Sequence, residues 1–132
     1  MEIENALKLL NSKFLYTPDK HKYFDKWKIL TGEETWKGDC EDYSLTLMWL
    51  LSDNNLFKFL WNILSFKFLM WHVNYNGGHA VVKINGLYYD NIQKKGMDKE
   101  TLNSLGYDFK FPMFFPFVFV KLLLSYTIGK LI

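Results

Sequence analysis

Residues 36–51 read WKGDCEDYSLTLMWLL, and this stretch carries most of the information about the fold. A glycine interrupts the preceding structure, and Asp39 after it is a good N-cap residue for a helix. A second aspartate follows three residues later, where the positive end of a helix favours a carboxylate. Beyond the first turn nearly every residue is apolar. The pattern therefore predicts a helix over residues 40–51 that is buried on almost all sides, with Cys40 in its first turn.

The neighbouring segments predict further helices before and after this one. Residues 3–11 carry apolar side chains at helical spacing. In residues 56–66 the polar side chains recur every three to four positions, which predicts a helix that is apolar except for one narrow polar stripe. Residues 17–20 form a predicted turn, and the aromatic segment 23–30 is expected to be a loop or short helix on the core.

The second half of the chain predicts an antiparallel sheet. Strands are predicted over residues 67–74, 78–84 and 87–92, followed by a helical turn at 99–105 and an edge strand at 107–111. Helices followed by an antiparallel sheet indicate an α+β fold. No repeat or linker divides the chain, so residues 1–132 are predicted to form a single domain.

The predicted hairpin brings one histidine and one aspartate together. Asn85-Gly86 indicates a two-residue turn, because both turn positions need positive φ. With that turn, Val81 faces Asp90, and His79 lies on the same face as Val81. His79 and Asp90 are then diagonal neighbours with a Cα separation of about 7–8 Å, near enough for their side chains to meet. A slip of one residue in the pairing register would place them on opposite faces of the sheet. The alternative interpretation is that they form a charge pair on an exposed sheet surface.

Cys40 is the only cysteine of the chain. A thiol attacks as its thiolate, and the ordinary cysteine pKa is about 8.5. The first turn of a helix favours an anion, although a lone cysteine can equally be an inert core residue. Among the three histidines, His79 is the candidate base. His21 lies in a polar stretch and is expected at the surface, and His72 is expected to be an ordinary strand side chain.

Cys40, His79 and Asp90 supply the parts that nucleophilic acyl transfer needs. Cys40 would attack a carbonyl, His79 would hold the thiolate as an ion pair and protonate the leaving amine, and Asp90 would orient His79. The backbone N–H of Cys40 is the expected first donor to the oxyanion. No second donor is identified, and the nearby Trp36 is expected to have a packing role.

Three stretches resemble the bacterial transglutaminase-like cysteine proteinases. Residues 36–45 are similar to the Gly-Asp-Cys-Glu-Asp signature of that family. Residues 78–82 (GHAVV) are similar to its Gly-His-Ala-Val strand, and residues 86–91 (GLYYDN) to its Leu-Asp-Asn strand. The resemblance covers roughly residues 20–92.

The resemblance implies a papain-like (transglutaminase-like) core in which Cys40, His79 and Asp90 form the catalytic triad. It also implies a thiol-dependent hydrolase, a cysteine peptidase or amidase, acting on a protein or peptide through an acyl-enzyme. Transglutaminase or deamidase activity on a side-chain amide shares that step and is the alternative. Typical members of the family are longer and exported, whereas this chain is short and rich in Asn, Lys and Phe, as in phage or low-GC bacterial products.

Acids that match Asp39 and Glu41 help to bind calcium in some relatives. Calcium takes 6–8 oxygen ligands, and no further ligands are identified here. A helix cap also explains Asp39 without a metal. We therefore expect no cofactor, with calcium at Asp39 and Glu41 as the alternative.

The composition restricts which binding partners and which cellular compartment are expected for this chain. The hydrophobic share of 49% is too high for a disordered chain. The net charge is only +2 and the basic residues are scattered, so no nucleic-acid partner is expected. A single cysteine excludes an intramolecular disulfide and a zinc site built on paired cysteines. The acidic start lacks an apolar signal region, and a cytosolic setting in the producing or host cell is expected.

The end of the chain, residues 111–132, is strongly apolar. Between residues 111 and 129 the single charge is Lys121, which would cost about 2.5–3.5 kcal/mol in the middle of a bilayer. We expect a helix from Pro116 that packs on the domain or between copies, with contact to a membrane surface as the alternative.

Two function classes compete with the enzyme. One is a non-catalytic binding protein on the same scaffold, such as a phage protein that engages a host factor. The other is a peripheral membrane factor that uses residues 111–132. A buried Cys40, or a His79 turned away from it, would favour the binding protein. The substrate and the oligomeric state are not predicted.

Overall fold

The computed structural model describes residues 2–17, 27–32 and 34–128. In chain order the elements are α1 (Ile3–Lys13), β1 (Phe14–Tyr16), β2 (Trp36–Gly38), α2 (Cys40–Leu51), α3 (Leu56–Leu64), β3 (Phe68–Asn74), β4 (Gly78–Ile84), β5 (Leu87–Tyr89), α4 (Lys99–Ser104), β6 (Asp108–Met113) and α5 (Phe115–Ile128). The mixed α+β class is as predicted. His21, most of the predicted turn at 17–20 and the start of segment 23–30 lie outside the described residues.

The strands form two sheets. β5, β4, β3 and β6 lie in that order in an antiparallel sheet, so β6 is an edge strand as predicted. β1 and β2 form a separate parallel pair that was not predicted. Each of these two strands has only three residues, which is too short for an alternating pattern to be recognised in the sequence.

The helix α2 begins at Cys40 because two aspartates form a reciprocal capping box. Asp39 Oδ1 accepts the backbone N–H of Asp42 at 3.2 Å, and Asp42 Oδ2 accepts that of Asp39 at 3.2 Å. The two hydrogen bonds satisfy two of the four backbone N–H groups that have no intrahelical acceptor at the start of a helix. Nine of the twelve residues of α2 are buried, which confirms the predicted central helix.

The two faces of the four-stranded sheet carry different clusters. Alternate side chains of β3 and β4 pack with α1 and α2 in the main core; from the sheet they are Phe68, Met70, Ala80, Val82 and Ile84. The opposite face holds a smaller cluster, made by Val73, Val81, Tyr88, Leu102 and Tyr107. Because side chains alternate along a strand, His79 has the same parity as Val81 and belongs to the face of the smaller cluster.

The predicted hairpin is confirmed in its turn and register. Asn85 and Gly86 both have positive φ, at 52° and 83°. The strands pair as Ile84 with Leu87, Lys83 with Tyr88, and Val82 with Tyr89.

The second strand of this hairpin is shorter than predicted. The predicted strand 87–92 was wrong beyond Tyr89, because Asp90 starts a turn. Its carboxylate accepts the Gln93 N–H at 2.8 Å and its carbonyl accepts the Lys94 N–H at 3.0 Å. An aspartate that binds backbone two or three residues ahead is a usual way to end an extended segment.

The helix α3 exposes much of its apolar surface. Only Phe59 and Ile63 are buried, whereas Phe57 and Trp61 are 81% and 65% exposed. The residues predicted as an apolar surface around a polar stripe are therefore largely in contact with solvent. The reason is that α3 packs on α2 and β3 from one side only.

The last helix, α5, starts within one residue of the predicted position. Val118, Leu122 and Ser125 are buried, and Ser125 Oγ accepts the backbone N–H of Trp27 at 2.9 Å. Other large side chains of α5 are exposed, among them Val120, Leu123 and Leu124. Within residues 2–17, 27–32 and 34–128, no helix has both the length and the hydropathy to cross a bilayer.

Candidate active site

Cys40 is the first residue of α2 and lies against the start of β4. Its side chain is only 8% exposed, and its Sγ donates a hydrogen bond to Glu41 Oε2 at 3.1 Å. Burial raises the pKa of the thiol above its ordinary value, the Glu41 carboxylate raises it further, and a backbone hydrogen bond with Ala80 lowers it. The net direction opposes the anion-stabilising effect predicted for the first helical turn, so the thiol is protonated in this arrangement.

His79 and Asp90 form the predicted pair. His79 Nε2 lies 2.8 Å from Asp90 Oδ2, and both side chains are buried. Burial alone would raise the pKa of Asp90, but hydrogen bonds from His79, from Tyr107 and from the Gln93 N–H hold it below its ordinary value. Asp90 is therefore a carboxylate that accepts three hydrogen bonds, and it fixes the orientation of the imidazole.

A single cavity of about 340 Å³ brings the histidine and the cysteine together. Its walls are formed by Tyr16, Cys40, Tyr75, Asn76, Gly78, His79, Asn91 and Ile92. Cys40 lines the cavity from the start of α2, and His79 lines it from the start of β4. Because Nε2 is hydrogen-bonded to Asp90, Nδ1 is the ring nitrogen that is available to accept a proton from the thiol.

The structure places the three predicted residues close together, but it shows a hydrogen bond only between His79 and Asp90. Among the described residues, no hydrogen bond links Cys40 Sγ to His79, and the thiol is bound to Glu41 instead. Catalytic hydrogen bonds are often long before substrate binds and tighten in the complex. The thiol and the imidazole therefore share one cavity, and proton transfer between them would require Cys40 Sγ to leave Glu41.

Tyr107 is a site residue that the sequence did not indicate. Its hydroxyl donates to Asp90 Oδ2, and its ring packs edge-on against His79 at a centroid distance of 5.8 Å. Tyr75 stacks on Tyr107 at 4.3 Å and continues the wall of the cavity. Tyr107 follows the glycine after α4, where the sequence predicts only the start of an edge strand. Its contact with Asp90 arises from tertiary packing that no local pattern encodes.

The other candidate residues have structural roles. Trp36 donates its indole N–H to the Gly32 carbonyl at 3.1 Å, in agreement with the predicted packing role. His72 stacks on Phe111 at 4.9 Å and does not line the cavity. Asp39 caps α2, as described above. Within the described ranges 2–17, 27–32 and 34–128, no group of three or more His, Cys, Asp or Glu residues could hold a metal ion.

The carboxyl of Asp42, next to the site, predicts a pH dependence of stability. Burial raises its pKa to about 7, with the Asp39 carboxylate as the next cause, against hydrogen bonds from the Lys28 and Asp39 N–H groups. In the unfolded chain an aspartate titrates near 3.9. The folded protein therefore binds this proton more tightly, so the contribution of Asp42 to stability falls as pH rises from about 4 to about 7.

We expect the free energy of unfolding to be lower at about pH 8 than at about pH 5, by on the order of 1 kcal/mol or more. Urea titrations at the two pH values measure this difference. Asp42→Asn should remove most of it, because an amide carries no charge at either pH and its oxygen can still accept the Lys28 N–H. Asp108→Asn, at an exposed position, is the matched control. An equal pH dependence in wild type and Asp42→Asn would contradict the assignment.

Comparisons of this chain with protein-family models, with curated proteins and with solved structures each find no match.

Proposed function

We propose that this chain is a thiol-dependent hydrolase, a cysteine peptidase or amidase, that acts on a peptide or side-chain amide. The observation that carries the proposal is the buried His79–Asp90 pair, whose histidine lines the same cavity as Cys40. A thiol at a helix start, an imidazole and an orienting carboxylate are the set that acyl transfer requires. The proposal includes the resemblance of the three sequence stretches to transglutaminase-like cysteine proteinases. It therefore also includes a papain-like core.

In the proposed reaction the thiol proton passes to Nδ1 of His79. Cys40 Sγ attacks the carbonyl carbon, and the backbone N–H of Cys40, which has no intrahelical acceptor, donates to the oxyanion. The imidazolium, stabilised by Asp90, then protonates the leaving amine and an acyl-enzyme remains. Water resolves it in a hydrolase or deamidase, and an amine resolves it in a transglutaminase.

The experiment that tests the proposal is acylation of Cys40 by p-nitrophenyl acetate. We expect a burst of about one equivalent of p-nitrophenolate, because the acyl-enzyme forms faster than it is hydrolysed. Mass spectrometry of peptides should locate the acetyl group on Cys40. Cys40→Ala is the control for reaction at lysines. If wild-type protein shows neither the burst nor the acetyl group on Cys40, the proposed enzymatic function is rejected.

A second candidate is a non-catalytic binding protein on the same scaffold. The low exposure of Cys40 and the raised pKa of its thiol favour this candidate. It requires that Cys40 stays inert towards acyl donors under conditions in which the protein is folded. The acylation experiment therefore distinguishes the two candidates directly.

The exposed apolar side chains of α5 favour peripheral membrane contact as an additional property of residues 111–132. Deletion of that segment would also remove buried residues of β6 and α5, so substitution is the better test. Flotation with anionic liposomes should be lost in Leu123→Glu with Leu124→Glu, because both side chains are exposed and neither belongs to the core. A cytosolic setting remains part of the proposal.

A further inference from the structure

Tyr16 is placed beside the nucleophile by the parallel pairing of β1 and β2. In that pairing Tyr16 is in register with Gly38, two residues before Cys40, and the next residue, Thr17, donates its N–H to the Gly38 carbonyl at 2.7 Å. The tyrosine lines the same cavity as Cys40 and His79. The backbone of β1 is therefore fixed directly next to the start of α2.

The side-chain direction follows from the alternation along β1. Phe14 packs edge-on against Tyr43 of α2 at a centroid distance of 5.0 Å, and Leu15 is half exposed on the other side. Tyr16 has the same parity as Phe14, so it points towards the α2 side of the strand. It is 57% exposed, and among the described residues its hydroxyl has no hydrogen-bond partner.

The hydroxyl of Tyr16 is a donor at neutral pH. Partial burial raises its pKa above the ordinary value, and the negative charges of a Cys40 thiolate, Asp39 and Glu41 raise it further. These three charges come from the residues at the start of α2, in agreement with the position of the phenol in the cavity. A protonated phenol can donate one hydrogen bond, whereas the carboxylates near Cys40 cannot.

The geometry points to Tyr16 as the second oxyanion donor, a catalytic residue whose hydroxyl donates to the substrate oxygen opposite the Cys40 N–H; this inference rests on the proposed function. When Sγ forms its bond to the carbonyl carbon, the C=O π electrons move onto oxygen and create the oxyanion. With p-nitrophenyl acetate, collapse of the oxyanion breaks the C–O bond. The p-nitrophenolate leaves with the electron pair, and His79 keeps the thiol proton.

Two probes separate this role from a general effect on the thiol. Acylation by p-nitrophenyl acetate passes through an oxyanion, whereas alkylation by iodoacetamide displaces iodide at a saturated carbon and creates none. In Tyr16→Phe we expect the acylation rate to fall about 10- to 100-fold, the range for loss of one donor. The iodoacetamide rate should remain within about two-fold of wild type, because the thiol and His79 are unchanged.

Tyr88→Phe is the matched control, since Tyr88 is a tyrosine outside the cavity, on the smaller cluster of the sheet. Circular dichroism and the urea midpoint of each variant establish that it is folded. If wild type is acylated and Tyr16→Phe is acylated at the same rate, the inference is wrong and the proposed function survives. An equal fall in both rates would also overturn it, because Tyr16 would then act on the thiol. Wild type that is not acylated would reject both.

Discussion

Replacing His79 by alanine is expected to slow alkylation of Cys40 by iodoacetamide at least about ten-fold at about pH 6.5. An ordinary thiol is only about 1% thiolate at that pH, whereas an ion pair with imidazolium can hold most of the sulfur as thiolate. Part of the resulting gain in alkylation rate is offset, since a thiolate of lower pKa is less nucleophilic. Burial and Glu41 raise the pKa of the thiol, and in His79→Ala only the backbone hydrogen bond with Ala80 would oppose them.

The measurement is the pH profile of the alkylation rate in wild type and in His79→Ala. Wild type should remain reactive well below pH 8, and the variant should lose this reactivity. His72→Ala is the matched control, because His72 lies on the neighbouring strand outside the cavity. If wild type and His79→Ala both follow the titration of an unassisted thiol, the triad is rejected and the binding protein becomes the favoured candidate.

Replacing Asp90 by alanine is expected to lower the free energy of unfolding by about 3–5 kcal/mol. Asp90 is 2% exposed and accepts hydrogen bonds from His79, Tyr107 and the Gln93 backbone. Alanine removes all three acceptor contacts and leaves the donors inside the protein without partners, and each such loss is costly. Urea denaturation of wild type and variant at neutral pH measures the difference.

The control for this substitution is Asp108→Ala. Asp108 pairs with Lys110 at the surface, and such pairs contribute at most about 1 kcal/mol. The depressed pKa of Asp90 adds a second test. Its contribution to stability is present above the unfolded pKa near 3.9 and is lost as pH falls through the lower folded value. The difference between wild type and Asp90→Ala should therefore shrink in acid. A loss under about 1 kcal/mol at neutral pH would show that the three donors find other partners.

The parts of the fold that the sequence predicted well depend on local signals. The helix start at Cys40 follows from an aspartate cap, and the hairpin follows from two adjacent residues that tolerate positive φ. The register of that hairpin then placed His79 and Asp90 together. Each of these features is determined by residues within a few positions of one another, so sequence patterns are sufficient to identify them.

The features that were missed depend on contacts between distant segments. The parallel pairing of β1 with β2 places Tyr16 beside Cys40, and nothing near Tyr16 in the sequence indicates this. Tyr107 reaches Asp90 because β6 pairs with β3, across an intervening hairpin and helix. The burial of the thiol is likewise a property of packing between distant segments, and together with the adjacent Glu41 it reversed the predicted direction of the Cys40 pKa.

The short connection between His79 and Asp90 has an evolutionary consequence. The two residues are eleven positions apart and are joined through a two-residue turn, so inserting or deleting one residue there would rotate one partner to the other face of the sheet. The loops on either side of α3 carry no such constraint, because α3 is attached at one side and most of its length faces solvent. Among descendants of this sequence, we expect insertions to accumulate around α3 while the hairpin keeps its length unchanged.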